Sequence, residues 1–523
     1  MDYNVDNDDS DFRPHIALID DGINTCRFSL DLEYDLEFNP KSLTMEPRVH
    51  QETRYLSHGT LCAGIVKKFY PNCILSSLKV LSGTTPKGQC AALLSALEWC
   101  FHKPIDIINI SAGSTNFQDL LALRNIANRL TSYRKIIIVA AISNEQIFTY
   151  PASFSSVIGV KGLPDDHSGL YSNDLSFDGT DIFATDNHLL IDSESVEVEP
   201  GRGNSFAAPY VTAQICHALK RPTHSVTAFK KQFLNRFTWS LPRPYLRYIK
   251  PDWIVTAVCY SSTPIIPELC FFELAALVVT HDGMPRANWQ NSSYILTADT
   301  IIFAWDKRVP DNEKAKVLNQ ALEMGKNLVL LDDPLPDFMQ SQTTALESNI
   351  WCLSDWAPEQ LQAIPPSSEP LSVPIIAIYD FNTDRLVRSG YSLVNNFAGE
   401  GYHPFICSDS PLAVLYDQYY VPLSSLSGAG YFHSIVSAIN PDLIICCCSL
   451  FENGSFLGKQ FLDSLPADVA IFFDESEINQ NPDIHHIYIM APEGNHNCPN
   501  NTFIHPDQYT GETLYGLIKH LLG

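Results

Sequence analysis

Runs of consecutive apolar residues recur along this chain, and stretches with helical spacing lie between them. An apolar run without polar alternation is a strand buried on both faces, and such strands belong to parallel sheets covered by helices on both sides. The first is His15-Ile16-Ala17-Leu18-Ile19, ended by a turn at Asp20-Asp21-Gly22. Further strand-like runs span 73–80, 105–110, 135–141 and 157–160, with helix-like stretches at 89–101 and 119–129. The pattern predicts an α/β fold.

The alternation stops near residue 222 and then restarts. Strands are predicted at 253–258, 300–304 and 327–331, with a helix at 312–324. A Pro- and Ser-containing stretch, 363–370, reads as a linker. Strands follow at 375–379, 443–448, 469–473 and 486–490, with helices at 386–397 and 511–522. The 523 residues make room for about three domains at roughly 100–200 residues each. The expected organisation is an acidic tail over 1–12, a first α/β domain over 13–222, a second over 245–362, a linker over 363–372 and a third over 373–523.

Composition narrows the function classes. With 34 Lys and Arg against 59 Asp and Glu, the net charge is −25. Such a chain repels a phosphate backbone, so no nucleic-acid partner is expected. The acidic surface either attracts basic peptides or serves solubility alone. No apolar run approaches the ~20 residues that span a bilayer, so no membrane association is expected. The acidic N-terminus lacks a signal-peptide pattern, which leads to the expectation of a cytoplasmic protein. Of the 14 cysteines, Cys446, Cys447 and Cys448 are consecutive in an apolar run. Neighbours on a strand point to opposite faces, so these read as small core residues, not as one metal site.

Four local patterns carry chemistry, in the order Asp, His, Asn, Ser. Ile16 to Gly22 puts the Asp20 carboxylate at the C-terminal end of an apolar strand, where ligand sites of α/β sheets form. Ser57-His58-Gly59-Thr60-Leu61-Cys62-Ala63-Gly64 starts a helix with a histidine and small residues behind it. Ile138 to Glu145 is an apolar strand that delivers the Asn144 amide to its end. Gly203-Asn204-Ser205-Phe206-Ala207-Ala208-Pro209 places a serine on a glycine-led turn into a helix.

These patterns resemble the signature motifs of the subtilisin-like serine peptidases, which share the chain order Asp, His, Ser. The resemblance covers residues 14–220 and implies a subtilisin-like parallel sheet with helices on both faces. It also implies the roles: Ser205 as nucleophile, His58 as general base and acid, Asp20 as the group that orients His58, and Asn144 as an oxyanion donor. Asn109-Ile110-Ser111-Ala112-Gly113 is similar to the family strand that pairs with the substrate backbone, which makes Ser111, Ala112 and Gly113 substrate-binding candidates. By the same resemblance Glu145 and Thr149 border the first specificity pocket; Glu145 either favours a basic residue before the cleaved bond there or is an exposed loop residue without that role. Some relatives bind structural calcium, but no Asp/Asn cluster here assigns such a loop; no metal site and no cofactor is expected. Ser143, Asn204 and Phe206 depart from the family pattern, which has Gly, Thr and Met there. Secreted members carry a long pro-region, whereas about a dozen residues precede the first strand here, so regulation is expected from the C-terminal half.

From residue 245 the chain resembles one or two Rossmann-like α/β domains. The layout after Pro374 resembles a degenerate P-loop fold, because its loop, 379–385, has no glycine and no lysine to hold phosphate. That half is expected to bind a precursor peptide or a partner protein. The leading functional expectation is a serine endopeptidase that processes a specific peptide or protein, with leader removal in ribosomal peptide maturation as one setting. The alternative is a catalytically impaired binding or scaffold protein.

Overall fold

A computed structural model describes residues 12–49, 56–82, 87–88, 90–145, 147–163, 169–172, 178–219, 225–237, 250–331, 348–353, 371–421, 428–449, 467–473, 484–489 and 501–522. The acidic tail expected over 1–12, except its last residue, and the core of the linker, 363–370, lie outside these.

The N-terminal unit is built on β1 (His15–Asp20), β2 (Leu32–Asn39), β3 (Thr44–Pro47), α1 (His58–Phe69), β4 (Ile74–Lys79), α2 (Cys90–Phe101), β5 (Ile107–Ile110), α3 (Leu120–Tyr133), β6 (Ile137–Ala141), β7 (Ile158–Gly162), β8 (Leu170–Ser172), β9 (Ile182–Ala184), α4 (Asn204–Ala218) and α5 (Val226–Asn235). Among the described residues these nine strands form one sheet in the order β8-β9-β7-β6-β5-β1-β4-β2-β3, parallel except for the outermost pair at each edge. All six residues of β1 are buried, as its lack of polar alternation requires. Ala17, Ile19, Ile108 and Ile110 face α2 and α3, while Ile16, Leu18 and Ile107 face α1 and α4. The helix α5 lies beyond the boundary expected at 222, yet Val226, Phe233 and Leu234 pack on the same core as α4. The unit therefore extends through α5. Local composition around Arg221-Pro222 reads as a boundary in the sequence, whereas the core is decided by packing.

The remaining described residues form two further parallel sheets. The first comprises β10 (Thr256–Ser261), β11 (Glu273–Val279), β12 (Thr300–Ala304), β13 (Asn327–Leu330) and β14 (Ile350–Cys352), ordered β11-β10-β12-β13-β14, with α6 (Asp311–Glu323) preceding β13. The strand expected at 253–258 starts at Thr256, because Trp253 and Ile254 enter the core from the preceding turn. The second comprises β15 (Ile375–Asp380), α7 (Thr383–Gly399), β16 (Pro404–Ser408), β17 (Tyr419–Tyr420), α8 (Gly428–Ile439), β18 (Leu443–Ser449), β19 (Val469–Phe472), β20 (His485–Ile489), β21 (Asn501–Ile504) and α9 (Gly511–Leu522), ordered β17-β16-β18-β15-β19-β20-β21. Cys446 and Cys448 face one core cluster and Cys447 another, all three nearly inaccessible. The loop after β15 is closed on itself. Asp380 accepts from the Asn382 N–H, and Arg385 folds back to pair with it at 2.7 Å. Among the described residues no helix is long and apolar enough to cross a membrane.

One apolar cluster joins the units. Leu123, Phe148 and Tyr150 of the first share it with Trp253 and Ala257 of the second and Val436 and Ile439 of the third.

Candidate active site

The strand order places the ends of β1, β5 and β6 side by side, and the site forms at that C-terminal edge. Asp20, the last residue of β1, is 2% exposed. Its buried oxygens are satisfied by hydrogen bonds: the Asp21 N–H donates to Oδ1 at 2.8 Å, and His58 Nδ1 lies 2.8 Å from Oδ2. Asp21 holds the helix carrying that histidine. Its carboxylate accepts from the backbone N–H groups of His58 and Gly59, at 3.1 and 2.8 Å, which satisfies donors that the first turn of α1 leaves open. Ser57 caps the same helix and donates to the Gly22 carbonyl at 2.6 Å. Gly59 allows the close approach: a Cβ there would stand 2.8 Å from the Gly22 oxygen and 3.1 Å from the Asp20 Cβ.

Ser205 lies in the first turn of α4, after Gly203. Its Oγ is 2.8 Å from His58 Nε2. The carboxylate, imidazole and hydroxyl that the sequence separates by 38 and 147 residues thus form one hydrogen-bonded line. The Ser205 N–H belongs to the turn of a helix that has no intrahelical acceptor and points its positive end outward.

Burial pulls the basicity of His58 down, but the Cys62 sulfur and the Asp20 carboxylate pull it up, and the net direction is upward from 6.5. The Cys62 Sγ lies 3.6 Å from Nδ1. Burial pushes that thiol above its ordinary range, so it is uncharged near neutral pH and Asp20 supplies the lasting pull. The Phe206 ring packs against the imidazole with centroids 4.7 Å apart. Asp20, His58 and Cys62 are the one group among the described residues that presents three ligand-type atoms within 4.8 Å of one another. With Nδ1 engaged by Asp20 and the thiol held protonated by burial, it is a poor resident metal centre.

The triad borders a cleft of about 680 Å³. Ser111, Ala112 and Gly113 line one wall, and Ser143, Asn144 and Thr149 the other. Thr149 fills the space beside Gly113, where a Cβ would meet its Cγ2 at 2.4 Å, and its Oγ1 accepts from the Ser143 N–H at 2.9 Å. Glu145 is exposed and is not among the residues lining the cleft; its N–H donates to Ser143 Oγ. Asn144 lines the cleft, and the side chain that follows it in the turn does not. Sequence reasoning missed Cys62 and Phe206 as the packing that holds His58, and Asn204 as a tie. The HGT-type helix start and the bulky residue after the serine were the available signals.

A model of the subtilase family, Peptidase_S8, matches residues 13–233. Over these residues the chain is similar to the subtilase family of serine peptidases. Subtilisin DY of Bacillus licheniformis is 26% identical over 197 residues, which are 35% of this chain and 70% of that protein. The minor extracellular protease Epr of Bacillus subtilis is 26% identical over 169 residues, 30% of this chain and 25% of its own. Among solved structures, a lanthipeptide protease aligns with a TM-score of 0.34 and 17% identity, over 44% of this chain and 81% of that one. The matched residues include Asp20, His58, Asn144 and Ser205.

Proposed function

We propose that the subtilase domain hydrolyses peptide bonds of an extended peptide or protein substrate, with Ser205, His58 and Asp20 as its triad. The observation that carries this reading is the unbroken line from Asp20 through His58 to Ser205 Oγ, at 2.8 Å on each side, opening on the cleft. A serine hydroxyl is a weak nucleophile until a base removes its proton. In this reading Nε2 of His58 takes that proton as Oγ attacks the scissile carbonyl. Asp20 keeps the proton on Nδ1 and stabilises the imidazolium. The Asn144 amide and the Ser205 N–H donate to the oxyanion, an interaction worth about 3–4 kcal/mol per donor in subtilisin. His58 then gives its proton to the leaving amine, and water repeats the sequence on the acyl-enzyme. The substrate backbone lies along Ser111 to Gly113 as an added strand.

The finer proposal is selective processing of one peptide or protein, such as leader removal from a ribosomally made precursor. It is supported by the position of the third unit, whose helices α7 and α8 accept hydrogen bonds from Gln118 and from the Phe148 N–H, next to residues that line the cleft. A cleft so framed suits recognition of one partner better than general degradation.

Fluorophosphonate labelling of the wild type beside Ser205→Ala tests the triad. Labelling present in the first and lost in the second is the expected result. A wild type that stays unlabelled would overturn the peptidase reading in favour of a binding or scaffold protein. Mass spectrometry of products from a peptide library and from denatured protein then separates processing, with one or few cuts, from turnover, with many.

A further inference from the structure

The third sheet reaches both walls of the cleft from behind. On the substrate-strand side, Gln118 Nε2 donates to the Ala398 carbonyl near the end of α7 at 3.1 Å, and the Phe117 ring lies 5.0 Å from that of His403. On the other side, the Phe148 N–H donates to the Ala438 carbonyl in α8 at 2.8 Å. Phe148 is followed by Thr149, which fills the space beside Gly113 and fixes the Ser143 N–H. Tyr150 follows in turn, bonded in both directions to Ser114 at 2.8 and 2.9 Å. The segment 148–150 therefore touches the substrate strand, the Asn144 turn and the C-terminal sheet at once.

A charged cluster holds the sheet in place. Asp417 accepts from Arg124 at 2.7 and 3.1 Å, a two-pronged pair, and Lys250 donates to the same carboxylate. Arg124 is 1% exposed and stands on α3, immediately after the substrate strand. The Arg124 guanidinium is buried while the Asp417 carboxylate is partly exposed; the two-pronged pair fixes orientation as well as contact, and removing Asp417 leaves the buried guanidinium without its carboxylate.

We propose that the C-terminal unit is a working part of the substrate site. Asp417 is a positioning residue that holds the unit against segment 148–150, and this backing sets the pocket for the residue before the cleaved bond. The proposal rests on the peptidase reading of the cleft.

The test uses the full chain with Asp417→Ala and Asp417→Asn. Asp417 has a φ of 63°, which asparagine tolerates, so the second variant removes charge without backbone strain. Hydrogen exchange of peptides spanning 147–150 should quicken about tenfold or more as the Phe148–Ala438 bond opens locally. KM should rise on the order of tenfold and the preference before the cleaved bond should broaden, while labelling of Ser205 by a small fluorophosphonate stays within about twofold, because that probe does not fill the pocket. A folded variant with wild-type exchange, KM and preference overturns the proposal. Should Asp417→Ala fail to fold, Asp417→Asn and Gln118→Ala decide it by the same readings. A wild type that cleaves no peptide would defeat the peptidase reading alone, because exchange at 147–150 still decides the coupling in either direction.

Discussion

Asn204 Nδ2 donates to the Ser143 carbonyl at 3.2 Å and to the Ile142 carbonyl at 3.1 Å. Its Oδ1 accepts from the Gly162 N–H at 2.8 Å. Two departures from the usual subtilase pattern thus meet in space: the residue before the nucleophile is tied to the residue before Asn144. The bond spans the two halves of the proposed oxyanion site. Asn204→Ala strands the half-buried N–H of Gly162 and frees two carbonyls, a cost of about 1–3 kcal/mol in stability. It should also lower kcat/KM on the order of tenfold, through misplacement of Asn144 against Ser205. Steady-state kinetics beside a thermal melt check both; unchanged kcat/KM in a destabilised variant would make the tie purely structural.

The pH dependence follows from His58. Proton removal from Ser205 needs a neutral imidazole, and the pKa of this one is displaced upward from 6.5. The rate should therefore climb as pH rises above 6.5 and continue climbing into the alkaline range. In Asp20→Asn the upward pull of the carboxylate is gone and burial, which lowers the pKa, acts with less opposition. The rising limb should then move to lower pH, while kcat drops on the order of 10⁴-fold because the tautomer is no longer held. Profiles of kcat/KM against pH for both proteins decide this, and a wild-type limb centred at or below 6.5 would refute it.

Gly113→Ala should narrow the cleft. The new Cβ would stand 2.4 Å from Thr149 Cγ2 and 3.1 Å from the Tyr150 carbonyl oxygen. Thr149 must yield, so KM for peptides should rise on the order of tenfold with a smaller change in kcat. Equal KM values for the two proteins would show that Thr149 moves freely.

Phe206 is the platform under the imidazole, 8% exposed and 4.7 Å from its centre. Truncation in Phe206→Ala should cost about 3 kcal/mol in stability through the cavity left behind. Loss of the platform lets His58 rotate away from Ser205, so kcat should fall while KM holds. Phe206→Met refills most of the volume and should restore most of the rate. Failure of the methionine variant to recover would point to the ring itself.

In the third sheet, Arg385→Ala leaves the fully buried carboxylate of Asp380 without its guanidinium partner. Because the arginine is 42% exposed, the expected loss is toward the lower end for a broken buried pair, about 2–3 kcal/mol. Chemical denaturation measures it, and a change under ~0.5 kcal/mol would mean that water replaces the arginine.

Much of this protein was legible in its sequence because the signals are local. The apolar runs marked β1, β5, β6, β15 and β18 as doubly buried strands, and the turn residues at their ends marked where side chains with chemistry would emerge. Asp20, His58, Asn144 and Ser205 each sit in a motif that a few neighbouring residues define, so their elements could be assigned one at a time. What the sequence left open is which distant pieces touch. The contacts of Phe206 with His58, Asn204 with Ser143 and Arg124 with Asp417 join residues whose local patterns say nothing of each other; the last pair is 293 positions apart. Glu145 lying outside the cleft lining and α5 joining the first core depend likewise on packing. Backbone periodicity is set by the nearest few residues, whereas the partner across a core is set by strand order and by which faces must be covered, and only the assembled sheets decide that.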